Sequence, residues 1–142
     1  MKQLRMVLFI AASVLLCACP DRDEGHRYIT IINRSDKAIV WQPRMIRIGN
    51  TSEQYDCQYV IGGSIHGNSL YKFDYDDRGS NWEVGLNTHY LQIMLMDAET
   101  YGEYIVEPCD TIRKYVPILH CYQLTLADLQ RMNWTVVYPP EE

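Results

Sequence analysis

The sequence predicts a mainly β fold, a single sandwich-like domain with a short helix before the last strand. Three observations lead there. Runs rich in β-branched and aromatic residues recur at roughly ten-residue spacing, a rhythm that favours a sandwich or small barrel over a parallel α/β sheet. Polar turn residues separate the runs. A capping signature appears once, near the C-terminus, where the pattern changes period.

The elements follow in order. Tyr28-Ile29-Thr30-Ile31-Ile32 is β-branched and aromatic, Asn33-Arg34-Ser35-Asp36 carries turn chemistry, and Lys37-Ala38-Ile39-Val40-Trp41 resumes the apolar pattern. Residues 28–41 therefore read as a β-hairpin. Met45–Ile48 reads as a separate short strand ended by Gly49-Asn50, and Tyr59-Val60-Ile61 as another before Gly62-Gly63. Leu70–Tyr75 alternates, 76–81 has loop composition, and Trp82-Glu83-Val84-Gly85-Leu86 alternates again, which predicts a strand.

Tyr90–Met96 is the most apolar run after the leader and is expected at the centre of a sheet, covered on both faces. Val116–Leu124 reads as a strand whose start Pro117 confines to an edge or a bulge. Thr125-Leu126-Ala127-Asp128 fits a capping box with Asp in place of the usual Glu, opening a helix from Leu126 to about Met132, with Asn133 as its stop. Trp134–Tyr138 closes the domain as a final strand.

The N-terminus has a different character. Lys2 and Arg5 precede an unbroken apolar run from Met6 to Leu16, the charged-then-apolar order of a secretory signal. Eleven residues fall well short of the about 20 needed to span a bilayer as a helix. Leu16-Cys17-Ala18-Cys19 resembles the bacterial lipobox, with Leu three residues before the modified cysteine and a small residue just before it. The resemblance implies a signal peptide over 1–18, cleavage before Cys19, and lipid on Cys19 as the link to a membrane. Cys17 follows Leu16, which is too large for that position. Each buried methylene of an acyl chain contributes about 0.8 kcal/mol, so two or more chains anchor stably without a transmembrane segment.

Residues 19–27 read as a lipidated acidic tether and 28–142 as the β-rich domain. Asp21-Arg22-Asp23-Glu24 resembles the acidic export signal that follows the lipidated cysteine in surface lipoproteins of Bacteroides-type bacteria. That likeness implies an outer-membrane protein facing the cell surface, with the periplasmic face as the alternative. The chain as a whole is similar to small lipoproteins of those bacteria. They share its leader, an opening strand like Ile29–Asp36, and a close like Tyr122–Leu129 followed by Asn133-Trp134-Thr135-Val136. The resemblance implies an address and a β-rich fold, and carries no activity with it.

Charge and cysteine usage fit export. Thirteen Lys and Arg stand against eighteen Asp and Glu, a net −5. Removing the leader's two cations takes this to −7. Such acidity argues against nucleic acid as a partner. After cleavage and acylation, Cys57, Cys109 and Cys121 remain, enough for one disulfide among them in any of three pairings. Zinc is disfavoured because no Cys-x-x-Cys occurs.

No catalytic constellation assembles, and no cofactor is implied. Asp74, Asp76 and Gly79 fit an EF-hand loop, but Arg78 takes a ligand position and Gly85 stands where the bidentate Glu belongs. Gly62-Gly63-Ser64-Ile65-His66-Gly67 fails the nucleophile-elbow pattern at His66 and reads as a glycine-rich turn. His26, His66, His89 and His120 are dispersed without metal-ligand spacing. Eleven Tyr and three Trp give the chain its functional colour. Tyr71, Tyr75 and Trp82 flank the acidic loop and are the candidate glycan-stacking rings, against the alternative that they simply pack. Asp110-Thr111-Ile112 resembles the Asp-Thr-aliphatic sequon that Bacteroides-type bacteria O-glycosylate, which marks Thr111. The expectation is a non-enzymatic envelope lipoprotein that binds glycan or protein, or else a structural or accessory subunit of an outer-membrane or cell-surface assembly.

Overall fold

The computed structural model describes residues 25–49, 63–74 and 81–140. Seven strands are present among them: β1 (Tyr28–Asn33), β2 (Ile39–Arg47), β3 (Ser64–Ile65), β4 (Ser69–Asp74), β5 (His89–Asp97), β6 (Ile118–Leu124) and β7 (Thr135–Tyr138). Four short helices accompany them: α1 (Trp82–Leu86), α2 (Ala98–Tyr104), α3 (Cys109–Tyr115) and α4 (Leu126–Arg131). One sheet has the order β4-β1-β7 and the other β3-β2-β5-β6. The molecule is mainly β and sandwich-like, as its sequence predicts. The strand expected at 59–61 lies outside the described residues.

The main core lies between the sheets. Ile29, Ile31, Phe73 and Val136 come from the first sheet, and Ile39, Trp41, Leu91, Ile93, Leu95 and Leu124 from the second. Trp82, Leu86, Leu129 and Trp134 pack into the same cluster from the helices and the last turn. A smaller cluster covers the other face of the second sheet, where Val40 and Met96 meet Tyr101 of α2, Ile112 of α3 and Val116. Residues 91–96 of β5 are consequently all buried, which bears out the expected central strand.

Residues 28–41 do not form a hairpin. β1 pairs antiparallel with β4 and parallel with β7, while β2 pairs with β3 and β5, so the chain crosses between sheets at residues 34–38. Asn33, fully buried, holds this corner. Its Nδ2 donates to the carbonyls of Lys37 (2.8 Å), Ile65 (3.2 Å) and His66 (3.1 Å), and its Oδ1 accepts from the Ser35 amide (3.1 Å) and hydroxyl (2.7 Å). The polar groups a hairpin turn would pair with each other are taken by this one side chain. The β3–β4 turn closes against the corner, with Asn68 N donating to Ser35 O. Gly67 sits so close that a Cβ there would collide with the Asp36 carbonyl.

Two further expectations are corrected. Met45–Ile48 is no separate strand: residues 45–47 finish β2, which runs through Pro43. Trp82–Leu86 is a helix, not a strand, because Asn81 caps it by accepting from Val84 N and because Trp82 and Leu86, four apart, bury the same side. Alternation and a single helical turn give the same apolar pattern over five residues. Helices α2 and α3 had no counterpart in the sequence reading. The predicted C-terminal helix is present with its capping box complete, Thr125 Oγ1 accepting from Asp128 N and Asp128 Oδ2 from Thr125 N. Asn133 stops it in the left-handed region at φ 49°. β6 is an edge strand with a register shift opposite its start, in keeping with Pro117.

Replacing Asn33 with Ala removes the amide bonds to Lys37 O, Ile65 O, His66 O and Ser35 N at a fully buried site and is expected to cost about 2–4 kcal/mol. Gly67→Ala should destabilise as well, by forcing two backbone segments apart. Urea denaturation of both variants measures this, and a wild-type midpoint for Asn33→Ala would show that the corner does not depend on the amide.

Candidate functional site

Where β4 of one sheet faces β2 of the other, the sandwich opens into a cleft of about 550 Å³. Its inner wall is a run of touching rings. Trp41 lies 5.4 Å from Tyr71 and 4.5 Å from Phe73, ring centre to ring centre, and Phe73 meets Trp82 edge-on at 5.4 Å. Tyr71 and Tyr28, 43% and 53% exposed, stand at the rim. Period-two alternation along β4 puts Tyr71 and Phe73 on the same face as the sandwich interior, with Tyr71 near the opening and Phe73 inside. Arg44, Lys72 and Asp74 supply the polar lining. Asp74 is bonded to Arg27 Nη2 at 3.1 Å, and Arg27 sits over the Tyr28 ring at 6.0 Å.

One polar atom in this wall stands out. Trp41 is 3% exposed, and its Nε1 has no hydrogen-bond acceptor among the described residues. Leaving such a donor buried and unpaired costs about 1–3 kcal/mol. With less than 1 Å² accessible, it does not face the opening, and Trp41 lines the cleft through other atoms.

A second cavity, about 560 Å³, lies where the N-terminal segment meets α1 and includes His26, Asn81, Glu83 and Gln130. His26 Nδ1 is 2.7 Å from Glu83 Oε1, its backbone N–H donates to the same carboxylate, and its ring stacks on Trp134 at 4.2 Å. Burial works against the Glu83 charge, but the bonds from His26 outweigh it and hold the carboxyl below its ordinary value of 4.5. Among the described residues the lining offers no Ser, Thr or Cys nucleophile for this pair to activate. The pair acts as a pin. Together with the bonds from Trp82 N to His26 O and Trp82 Nε1 to Arg27 O, it seats residues 25–27 on the domain, although the sequence assigned them to the tether.

The candidate residues divide accordingly. Tyr71 lines the cleft and is exposed, as a stacking ring must be. Trp82 is 4% exposed and its indole N–H is committed to Arg27 O, so it supports the wall and offers no sugar-stacking face. Tyr75 and most of the acidic loop, with Asp76, Arg78 and Gly79, lie outside the described residues, as do Cys19 and Cys57. Trp41, Tyr28 and Arg44 were missed. Trp41 reads in sequence as an ordinary core residue, and only the facing of β2 by β4 makes it part of a cleft.

Ser64 and His66 are exposed around the two-residue β3, where the His66 carbonyl bonds Asn33 and Ser69. Among the described residues no group of His, Cys, Asp and Glu could hold a metal ion. Cys109 is disulfide-bonded and Cys121 is a free, exposed cysteine. Partial shielding of the Cys121 sulfur pushes its pKa up, and a hydrogen bond with Gln92 works the other way. Thr111 lies half-buried in the first turn of α3, next to buried Ile112. No helix among the described residues is long and apolar enough to cross a membrane. No protein-family model, curated protein or solved structure matches the chain.

The depressed Glu83 value carries a sign. Its contribution to stability is fully present above the ordinary carboxylate value and is lost as pH falls through the lower folded value. Glu83→Gln should cost about 1 kcal/mol at pH 7, allowing for solvent screening of a partly exposed pair. Wild-type and variant melting temperatures should then converge below about pH 4. A gap that persists unchanged at low pH would show that the charge is not what holds residues 25–27.

Proposed function

We propose that this chain is an exported, lipid-anchored envelope lipoprotein whose β-sandwich binds a ligand in the aromatic cleft and performs no catalysis. The observation that carries the binding reading is the aromatic cleft wall, with an exposed Tyr71 at its rim and the Trp41 and Phe73 rings behind it. Stacking rings beside Arg44, Lys72 and Asp74 suit a glycan, whose sugar faces lie on aromatic rings and whose hydroxyls take both donors and acceptors. The lipobox at Cys19 and the acidic stretch at 21–24 support an outer-membrane site, outward-facing. On this reading Cys17 leaves with the leader and Cys19 carries lipid. An accessory role in an envelope assembly is the second reading, favoured by the open edge of β6.

The binding claim is tested on an array of neutral and uronic-acid oligosaccharides, followed by tryptophan fluorescence titration with the oligosaccharides that bind. Tyr71→Ala should weaken binding by about tenfold, the size of one lost stacking contact. Trp41→Phe should weaken it too while keeping the ring packing. Binding that ignores both substitutions would move the ligand away from the cleft, and an array without any bound sugar would favour the accessory reading.

A further inference from the structure

Tyr71 is one aromatic contact at the cleft mouth, and a second cluster stands along the strand from it. β1 and β4 pair with Ile31 opposite Tyr71 and Tyr28 opposite Asp74. Three residues of β1 therefore separate the two positions, about 10 Å at the rise of an extended strand. Tyr28 and Tyr71 nevertheless line one opening, and both are exposed. The two positions are further apart than a single sugar ring is wide.

Tyr28 belongs to a built cluster. Directly opposed residues of an antiparallel pair project to the same side of the sheet, so the Tyr28 ring and the Asp74 carboxylate are neighbours. Arg27 orients both. Its guanidinium lies 6.0 Å from the Tyr28 ring centre, and its Nη2 donates to Asp74 Oδ2 at 3.1 Å. Arg27 is itself held at its carbonyl, which accepts from Trp82 Nε1. No described residue bonds Asp74 Oδ1. An exposed ring thus stands beside a carboxylate with one oxygen committed and the other open, arranged before a ligand arrives. A pyranose fits that pair, its apolar face on the ring and its neighbouring hydroxyls donating to the open oxygen. Lys72, two residues along β4 on the same side, adds a donor. A hydroxyl serves both groups, whereas a uronic acid would set its carboxylate against that of Asp74.

We propose that Tyr28 and Asp74 form an outer subsite of the cleft, and that the ligand is a linear neutral oligosaccharide reaching along β4 from Tyr71 to Tyr28. The proposal rests on the glycan reading of the cleft and adds the ligand's length and charge to it. Full-length protein in mild detergent is titrated calorimetrically with neutral gluco-, manno- and xylo-oligosaccharides, from monosaccharide to hexasaccharide, and with oligogalacturonates. In the neutral series that binds, affinity should rise about tenfold between monosaccharide and trisaccharide. Tyr28→Ala and Asp74→Asn should each remove most of that gain and leave the monosaccharide affinity unchanged, whereas Tyr71→Ala weakens every length. Both partners of the Arg27–Asp74 pair are exposed, 59% and 37%, so Asp74→Asn should keep the wild-type melting temperature. An affinity independent of length overturns the outer subsite and leaves the cleft reading standing. So does trisaccharide binding that Tyr71→Ala lowers and both outer variants leave intact, or binding of oligogalacturonates alone. Silence from every sugar removes the cleft reading and this inference with it.

Discussion

The two sheets face one another because the chain steps from the first to the second at residues 34–38, and the Asn33 amide holds that step. The amide binds Lys37 O and Ser35 N within the five-residue link and the carbonyls of Ile65 and His66 beside the β3–β4 turn. One buried side chain thus ties the link after β1 to residues 65 and 66, more than thirty positions further along the chain. Its placement has a topological consequence. Ile29 and Ile31 are sent to a different sheet from Ile39 and Trp41, so these residues pack across the interior and are not neighbours in one sheet.

The cleft is a product of the same step. Because β2 and β4 lie in opposing sheets, Trp41 looks across at Tyr71 and Phe73, and the rings form a continuous wall from the rim to the core. Trp82 completes the wall from α1 and, through Arg27 O, ties it to the N-terminal segment. Residues 25–27 are therefore connected by direct contacts to the aromatic wall. A cleft whose rim is aromatic and polar but whose base is core gives a ligand stacking area at small cost in reorganisation.

The parts of this arrangement that were legible in the sequence are those fixed by local chemistry. The alternation of Leu70–Asp74, the apolar run of β5 and the Thr125–Asp128 box each encode an element within a few residues. Sheet membership was not legible, because Asn33 looks like a turn residue and its decisive partners, Ile65 and His66, lie more than thirty positions away. Helix α1 was misread since Trp82 and Leu86, four apart, share a face at either period, and the Asn81 cap with the exposure of Val84 is what separates helix from strand. Helices α2 and α3 each bury little, a single Tyr101 or Ile112 against Val40 and Met96, so neither has an apolar stripe long enough to announce it. Tyr71 was named from its aromatic character and lies on the cleft; Trp41 was not named, because its place in the wall depends on the opposite sheet.

The proposal that this sandwich sits outside the cell on a lipid at Cys19 concerns where its cleft is presented. Protease treatment of intact cells, with an epitope tag at the C-terminus, tests that placement most directly when wild type and Cys19→Ala are compared. The account predicts that the tag is lost from intact wild-type cells and stays protected in the Cys19→Ala variant. A wild-type tag that survives until the outer membrane is breached would contradict it and leave the domain on the periplasmic side.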